Sequence, residues 1–376
     1  MTELPEGRAR ARDLGIRLGR FDPGPWNAIT DVEDVRVGHT TLISGEGPLV
    51  VGRGPVRTGV TVVLPHGGNI GAEPVFAAYH VLNGNGEMTG IAWIEESGLL
   101  TTPVAITNTH SVGVVRDALI AHEVNHGTND RALAFSLPVV AETYDGFLSD
   151  VNGFHVKPEH VFAALDSAAS GPVAEGCVGG GTGMICHQFK GGIGTSSRVL
   201  PDDLGGWTIG ALVQANYGGR DLLRVDGVPV GRELGPNVVP LPGAPELAGA
   251  GSIIVVIATD APLLPMQCRR LAQRATLGIA RMGGIAANSS GDIILAFSTA
   301  NRGLEGTLDS PAPFSVRMVP NLAMTPLFEA TAEAVEEAIL NALCAAVTTT
   351  GINGRVVHAM PLDQLCRVLR DYNRLK

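Results

Sequence analysis

An α/β layered domain is expected of this 376-residue chain on three grounds. Residues 252 to 376 alternate short apolar runs with long amphipathic stretches, a pattern in which helices cover sheet faces. The first half is rich in glycine and in strand-like segments broken by turn residues. The chain is also long enough to bury one large core or two ordinary ones.

Taken in order, "TGVTVVLPHGGN" from 58 and "TPVAITNTHSVGVV" from 102 read as strands closed by turn residues. "VVRDALIAHEVNHG" from 114 carries apolar residues at helical spacing and closes on Gly127, a residue suited to the position just past a helix. A second helix is expected over "KPEHVFAALDSAAS" from 157. Glycines crowd residues 176 to 197, followed by a strand "WTIGALVQANYGG" and a hairpin at Asp226-Gly227. From about 238 to 251 the stretch "VVPLPGAPELAGAG" has linker composition. A buried strand over 252 to 259 then leads to a helix with Arg269, Arg270, Arg274 and Arg281 on its wet side and to a strand "DIILAFST". A strand near 314 to 319 and two helices, "PLFEATAEAVEEAILNALCAAV" and "LDQLCRVLRDYN", complete the expectation. No internal repeat or low-complexity tract is visible.

Composition narrows the function. Charged residues are only 17% of the chain and mean hydropathy is +0.20, a surplus of apolar surface that points to burial between subunits. A formal charge of −10 argues against nucleic acid or an anionic membrane as partner, since both require a positive face. Apolar runs such as "SIIVVIA" fall short of the roughly 18 residues of a membrane span, and the start of the chain lacks the apolar core of a secretion signal. A soluble, cytoplasmic protein is expected. Cys177, Cys186, Cys268, Cys344 and Cys366 are odd in number and lack CxxC spacing, which fits reduced, mostly buried thiols.

The junction "GAGSII" at 249 to 254 raises a chemical question. A serine hydroxyl is a weak nucleophile near neutral pH and needs a base beside it. Inside the chain Ser252 offers only an amide nitrogen. Cleavage of the Gly251–Ser252 bond would give it a free α-amine with a pKa near 8 (about 7.7 to 8.0), so nucleophile and base would be one residue. Gly251 has no Cβ to block attack on its carbonyl, and the linker before it can bend. The other reading of these residues is a plain turn before a strand.

The stretch "GAGSIIVVIATDAPLLPMQCRRLAQRATLGIAR" is accompanied by "ARDLG", "NAITDVEDVRVGHTTL", "RTGVTVVLP", "NGNGEMTG", "WIEESGLL", "ITNTHSVGVVRD", "VVAETYDGFLSD", "VGGGTGM" and "SSGDIILAFSTAN". Together they resemble the L-aminopeptidase/D-Ala-esterase/amidase family, which includes the β-peptidyl aminopeptidases. The resemblance runs from about residue 11 to beyond 350, with the blocks in the same order. It implies a four-layer αββα sandwich of N-terminal-nucleophile-hydrolase type: a single hydrolase domain over 1–376, self-cleaved into an α chain 1–251 and a β chain 252–376. It further implies that the fragments stay together, with αβ pairs associating, four being the family's habit.

Residue by residue, the resemblance assigns Ser252 as nucleophile, with Ser290 and Asp292 of "NSSGDI" orienting its amine; some members carry Glu where this chain has Asp292. Asn216 is similar to the family asparagine that holds the oxyanion, and Tyr144 to a tyrosine at the same site. Glu142 resembles the carboxylate that receives the substrate's free α- or β-ammonium. The implied activity is release of small N-terminal residues, as L-amino acids, D-alanine amides or esters, or β-amino acids, from short substrates with a free amino group. No metal or organic cofactor is implied.

Three other signals compete. "HEVNH" at 122 to 126 matches the HExxH zinc-peptidase pattern with both histidines on one predicted helix, the third ligand to come from Glu142, His155 or His160. The glycines of "VGGGTGMICHQFKGG" lack P-loop spacing and a preceding strand, so a phosphate cradle is a weak reading. A non-catalytic oligomeric binding protein would use the apolar surplus but would leave the ordered polar motifs unexplained.

Overall fold

The computed structural model describes residues 4–126, 135–243, 251–304, 313 and 315–375. The chain begins a first sheet with β1 (Arg36–Ser44) and β2 (Val56–Leu64), crosses to a second as β3 (Val75–Gly84), and continues through α1 (Ile91–Ser97) and β4 (Leu99–Leu100). β5 (Val104–Asn108), α2 (Val112–His126), β6 (Val139–Thr143) and α3 (Pro158–Asp166) complete the first sheet and its cover. A ribbon of β7 (Ile185–Cys186) and β8 (Phe189–Lys190) precedes β9 (Gly192–Val199), β10 (Thr208–Asn216) and the one-turn α4 (Val230–Glu233). β11 (Ser252–Thr259), α5 (Pro265–Arg281), β12 (Gly291–Ser298) and α6 (Met324–Ala345) follow. A second ribbon, β13 (Thr349–Thr350) and β14 (Val356–Val357), and α7 (Leu362–Asp371) end the chain.

The strand orders are β1-β2-β5-β6 and β4-β3-β12-β11-β10-β9. Alternation along β11 explains how they stack, because successive side chains of a strand face opposite sides. Ile253, Val255 and Ile257 join the core under α5 and α6, with Leu271, Ala275, Val335 and Ala338. Ile254, Val256 and Ala258 face the other way, against Val63, Val104, Ile106 and Ala141 of the first sheet. On that sheet's far side Val60, Val62, Ala105 and Val140 meet Val115 and Leu119 of α2 and Val161 and Ala164 of α3. The order of layers is therefore helix, sheet, sheet, helix, the αββα sandwich expected. Each buried Ile or Val of β11 contributes about 1.5–3 kcal/mol.

The layers explain which residues each element needs. β11 is apolar from Ile253 to Ala258 because both its faces are covered. Helix α5 has one apolar face; on its other side Arg269 pairs with Glu95, Arg281 with Glu336 at 3.2 Å, and Arg270 and Arg274 lie over the Phe328 ring. Asp226 and Gly227, both at positive φ, close the expected hairpin between Val225 and Val228. All five cysteines are free, and only Cys177 is incompletely buried.

One expected strand is missing. Residues 315–319 form no ladder; Asn301 instead bonds both the N–H and the C=O of Arg317, at 3.0 Å each, and Val319 N–H reaches Pro262 O. A side-chain amide thus satisfies the backbone that a neighbouring strand would have paired. Phe314, Gly127 and most of the linker, 244–250, lie outside the described residues.

A buried ionic cluster joins the two ends of the chain. Arg198 of β9, fully buried, contacts Glu333 at 3.1 Å and Glu337 at 2.8 Å on α6, and Glu337 also meets Arg12 at 2.9 Å. Burial alone would raise the Glu337 carboxyl, but Arg198 and Arg12 beside it hold it below the usual range. Such a cluster adds little net stability, yet removing one partner strands the others at a loss of about 3–5 kcal/mol.

Candidate active site

The ends of both sheets meet at one place. Ser252 is the first residue of β11, a central strand, and lies opposite Asn216, the last residue of β10. On the other side Ile253 pairs in parallel with Asp292 of β12. Asp292 in turn lies opposite Asn83 at the end of β3, where the ladder slips register between Asp292 and Ile293. An irregularity of this kind re-aims side chains at a strand end.

Ser252 is buried, and its Oγ accepts the Gly291 N–H at 3.0 Å. Gly291 must be glycine, since a Cβ there would lie 2.6 Å from both Asn85 O and Gly86 Cα. Gly251 has φ +130°, a region that other residues avoid, and a Cβ on it would collide with Asn216 O and sit 2.9 Å from Tyr217 Cα. The bond before Ser252 is therefore held in a conformation that only glycine supplies.

Ser290 Oγ donates to Asp292 Oδ2 at 2.7 Å, and both residues are buried. Burial pushes the Asp292 carboxyl up, opposed by the bonds from Ser290, the Ile253 backbone and Asn83. Asn216 is fixed from two sides: its Oδ1 accepts Ile185 N–H at 2.7 Å and its Nδ2 donates to Tyr144 O at 3.1 Å.

The first sheet supplies the rest. Glu142 lies near the end of β6, beside Thr107 of β5. Its Oε1 accepts Glu87 N–H at 3.0 Å and its Oε2 accepts the Thr109 hydroxyl. Burial raises its pKa, with those two bonds pulling the other way. Tyr144, two residues further and just past the end of β6, is 50% exposed and stands at the rim.

Ser252, Gly251, Asn216, Tyr144 and Glu142 line one cavity of about 300 Å³, with Asn85, Thr109, Phe147, Ile185 and Gln188. Ser290 and Asp292 are not on its wall; with Tyr217, Gly218 and Ile279 they line a small separate pocket. The sequence-assigned residues are thus brought together at the ends of four strands from two sheets, β6 of the first and β10, β11 and β12 of the second. Thr109, Asn83, Asn85 and the Gly291 N–H were not singled out from the sequence. Asn83 and Asn85 sit in "NGNGEMTG" and Thr109 in "ITNTHSVGVVRD", so the signal was present without a role attached.

The chemistry of this constellation is acyl transfer. A hydroxyl, an acid–hydroxyl pair beside it, an amide able to donate to an oxyanion and a carboxylate able to hold a cation converge on a space for a small substrate. The model of peptidase family S58 matches residues 27–357. The chain belongs to peptidase family S58. Among curated relatives, the β-peptidyl aminopeptidase BapA of Sphingosinicella microcystinivorans is 52% identical, covering 97% of this chain and 93% of its own length. Among solved structures, a Burkholderia β-aminopeptidase superposes with TM-score 0.89 at 55% identity, over 96% of this chain and 99% of that one. The L-aminopeptidase D-Ala-esterase/amidase of Ochrobactrum anthropi, a prototype of the serine aminopeptidases and a variant of the Ntn hydrolase fold, does so with TM-score 0.88 at 47% identity, over 98% and 99%.

The zinc pattern does not assemble in the same way. His122 and His126 lie on α2 with rings stacked at 4.4 Å. Of the three candidate third ligands, Glu142 lines the Ser252 cavity, His155 pairs with Asp150 at 2.8 Å, and His160 Nδ1 accepts Lys157 N–H at 2.9 Å. Among the described residues no group of three or more His, Cys, Asp or Glu is placed to hold a metal. Nor is any helix among them long and apolar enough to cross a membrane.

Proposed function

We propose that this chain is a self-processing serine aminopeptidase of family S58, acting on short peptides, amides or esters that carry a free amino group. The observation that carries the reading is Ser252 at the head of a central strand, directly after a Gly251 held at φ +130° and beside the Ser290–Asp292 pair.

In maturation the Ser252 hydroxyl attacks the Gly251 carbonyl, its proton passes to the departing amide nitrogen, and an ester forms. Water hydrolyses that ester, leaving a Gly251 carboxylate on an α chain 1–251 and a free Ser252 amine on a β chain 252–376. In turnover the amine takes the hydroxyl proton as Oγ attacks the substrate carbonyl, then gives it to the leaving group; water releases the acyl group. Asn216 spends one N–H on Tyr144 O and turns the other to the oxyanion. Tyr144, at the rim, adds a hydroxyl that closes over the substrate. Glu142 receives the substrate ammonium, which selects for free amino termini. A cavity of about 300 Å³ suits small N-terminal residues, including α- and β-amino acids.

The fragments remain in one fold and the αβ pairs associate further, four being our expectation, with exposed Ile43, Val50, Val51 and Leu322 available to be covered. A cytoplasmic location agrees with five unpaired cysteines.

Intact-protein mass of wild type and Ser252→Ala tests the reading. Two polypeptides split at Gly251–Ser252 in the wild type, and one uncut, inactive chain in the variant with kcat/KM down by about 10⁴-fold or more, are expected. An active wild type of full-length mass would overturn it.

A further inference from the structure

We propose that Asn83 is a positioning residue of this site, setting the direction of the Ser290 hydroxyl so that its oxygen accepts from the Ser252 amine instead of donating to it. The inference rests on the nucleophile assignment above and concerns a residue to which that assignment gives no part.

The geometry is specific. Asn83 Nδ2 lies 2.8 Å from Ala287 O, 2.8 Å from Ser290 Oγ and 3.5 Å from Asp292 Oδ2. A backbone carbonyl only accepts, so the nitrogen of the Asn83 amide, not its oxygen, must face this cluster. One N–H goes to Ala287 O and the other to Ser290 Oγ. The Ser290 proton has two acceptors in reach, Ala287 O at 2.9 Å and Asp292 Oδ2 at 2.7 Å. Ala287 O is already served by Asn83, and a carboxylate is the stronger acceptor, so the hydroxyl points to Asp292. Ser290 oxygen then holds the Asn83 N–H on one lone pair and keeps the other.

That remaining lone pair matters once Ser252 has a free amine. An amine N–H donated into it leaves the amine's own lone pair for the Ser252 hydroxyl, whose proton it must take. Without Asn83 the Ala287 carbonyl loses its donor and competes with Asp292 for the Ser290 proton, and the oxygen loses the bond that fixes its lone pairs, so the hydroxyl can turn and donate to the amine, occupying the electrons that do the chemistry. The segment carrying Asn83 is itself anchored to both sheets: Asn85 Nδ2 donates to Ser289 O at 2.8 Å, Asn85 N–H to Ser290 O at 3.2 Å, and Glu87 N–H to Glu142 at 3.0 Å.

The test compares Asn83→Leu, close in volume but without a donor, with Asn83→Asp, which donates only while protonated. Turnover of a p-nitroanilide of alanine or β-alanine is measured per cleaved chain between pH 5.5 and 8, alongside self-cleavage by intact mass and thermal midpoint. Asn83→Leu is expected to lower kcat by about 10- to 100-fold with KM within about threefold, and to slow self-cleavage. The kcat of Asn83→Asp relative to wild type should rise as pH falls, because the protonated carboxyl restores the bond to Ser290. Wild-type kcat in both variants, or losses equal at every pH and accompanied by a lowered thermal midpoint, would overturn the proposal. Persistent turnover by Ser252→Ala would remove the nucleophile assignment, and this inference with it.

Discussion

Two cavities of similar volume invite comparison, about 300 Å³ at Ser252 and about 320 Å³ beside α2. The second contains His122, Glu123 and His126, the conspicuous run of the sequence, with Asp166 of α3. Both histidines come from one helix, and His126 Nδ1–H is spent on the His122 carbonyl at 3.0 Å. At the first cavity the polar groups come from segments far apart in the chain, and each is oriented by another: Glu142 by Thr109 and Glu87, Asn216 by Ile185, and, off the cavity wall, Asp292 by Ser290. Reactive residue types near one another in sequence make a pattern. Oriented groups converging from strand ends make a site.

The comparison can be sharpened by substitution. Beyond Ser252 itself, the largest effect is expected at Asn216. Asn216→Ala removes the proposed oxyanion donor and should lower kcat by about 10²- to 10³-fold, read by steady-state kinetics on chains matched for their state of cleavage. Little change in kcat would mean that the oxyanion is held elsewhere.

Glu142→Gln should act on binding. KM for substrates with a free amine should rise by roughly 10- to 100-fold, while N-acetylated analogues, poor substrates of either form, should no longer be discriminated. Glu142 must be ionised to hold an ammonium, and burial has raised its pKa. KM should therefore climb as pH falls, beginning above the range of an ordinary carboxylate, and the Gln variant should lack that limb. A wild-type KM that is flat through the acid range would argue against this role.

The smallest effect belongs to the other cavity. His122→Ala and His126→Ala should leave kcat/KM within about twofold, surface or single-helix changes of this kind being weak, and a chelator should not inhibit. Loss of activity on chelation would reverse the comparison.

Much of this was legible before the fold was known, for physical reasons. β11 stood out because a strand covered on both faces is apolar along its middle, here Ile253 to Ala258, and α5 because a helix covered on one face is not. Ser252, Ser290, Asp292, Asn216, Glu142 and Tyr144 were legible through ordered motifs, and the structure gathers them at the sheet ends. Local pattern could not reveal the partners of Arg198, since Glu333 and Glu337 lie some 135 and 139 positions away. Asn83 escaped for the same reason: its meaning resides in Ala287 and Ser290, 204 and 207 positions on. The strand expected near 314 to 319 failed because apolar alternation shows that a segment can pair, not that an edge is available to it.

The strand order also bears on the lifetime of the mature protein. β11 and β12, which follow the proposed cut, stand between β3 and β10, which precede it. The smaller fragment therefore does not sit on an edge from which it could peel away; it is inserted between strands of the larger. Severing the peptide before Ser252 leaves every ladder of that sheet in place, so the nick loosens little. Reassembly is another matter, since two separate polypeptides would have to interleave strands that one chain folded together. On the proposed cleavage, the uncut chain is the form that folds and the cut form the one that works. Once unfolded, the mature protein should have no easy way back, so its persistence is governed by how slowly it comes apart.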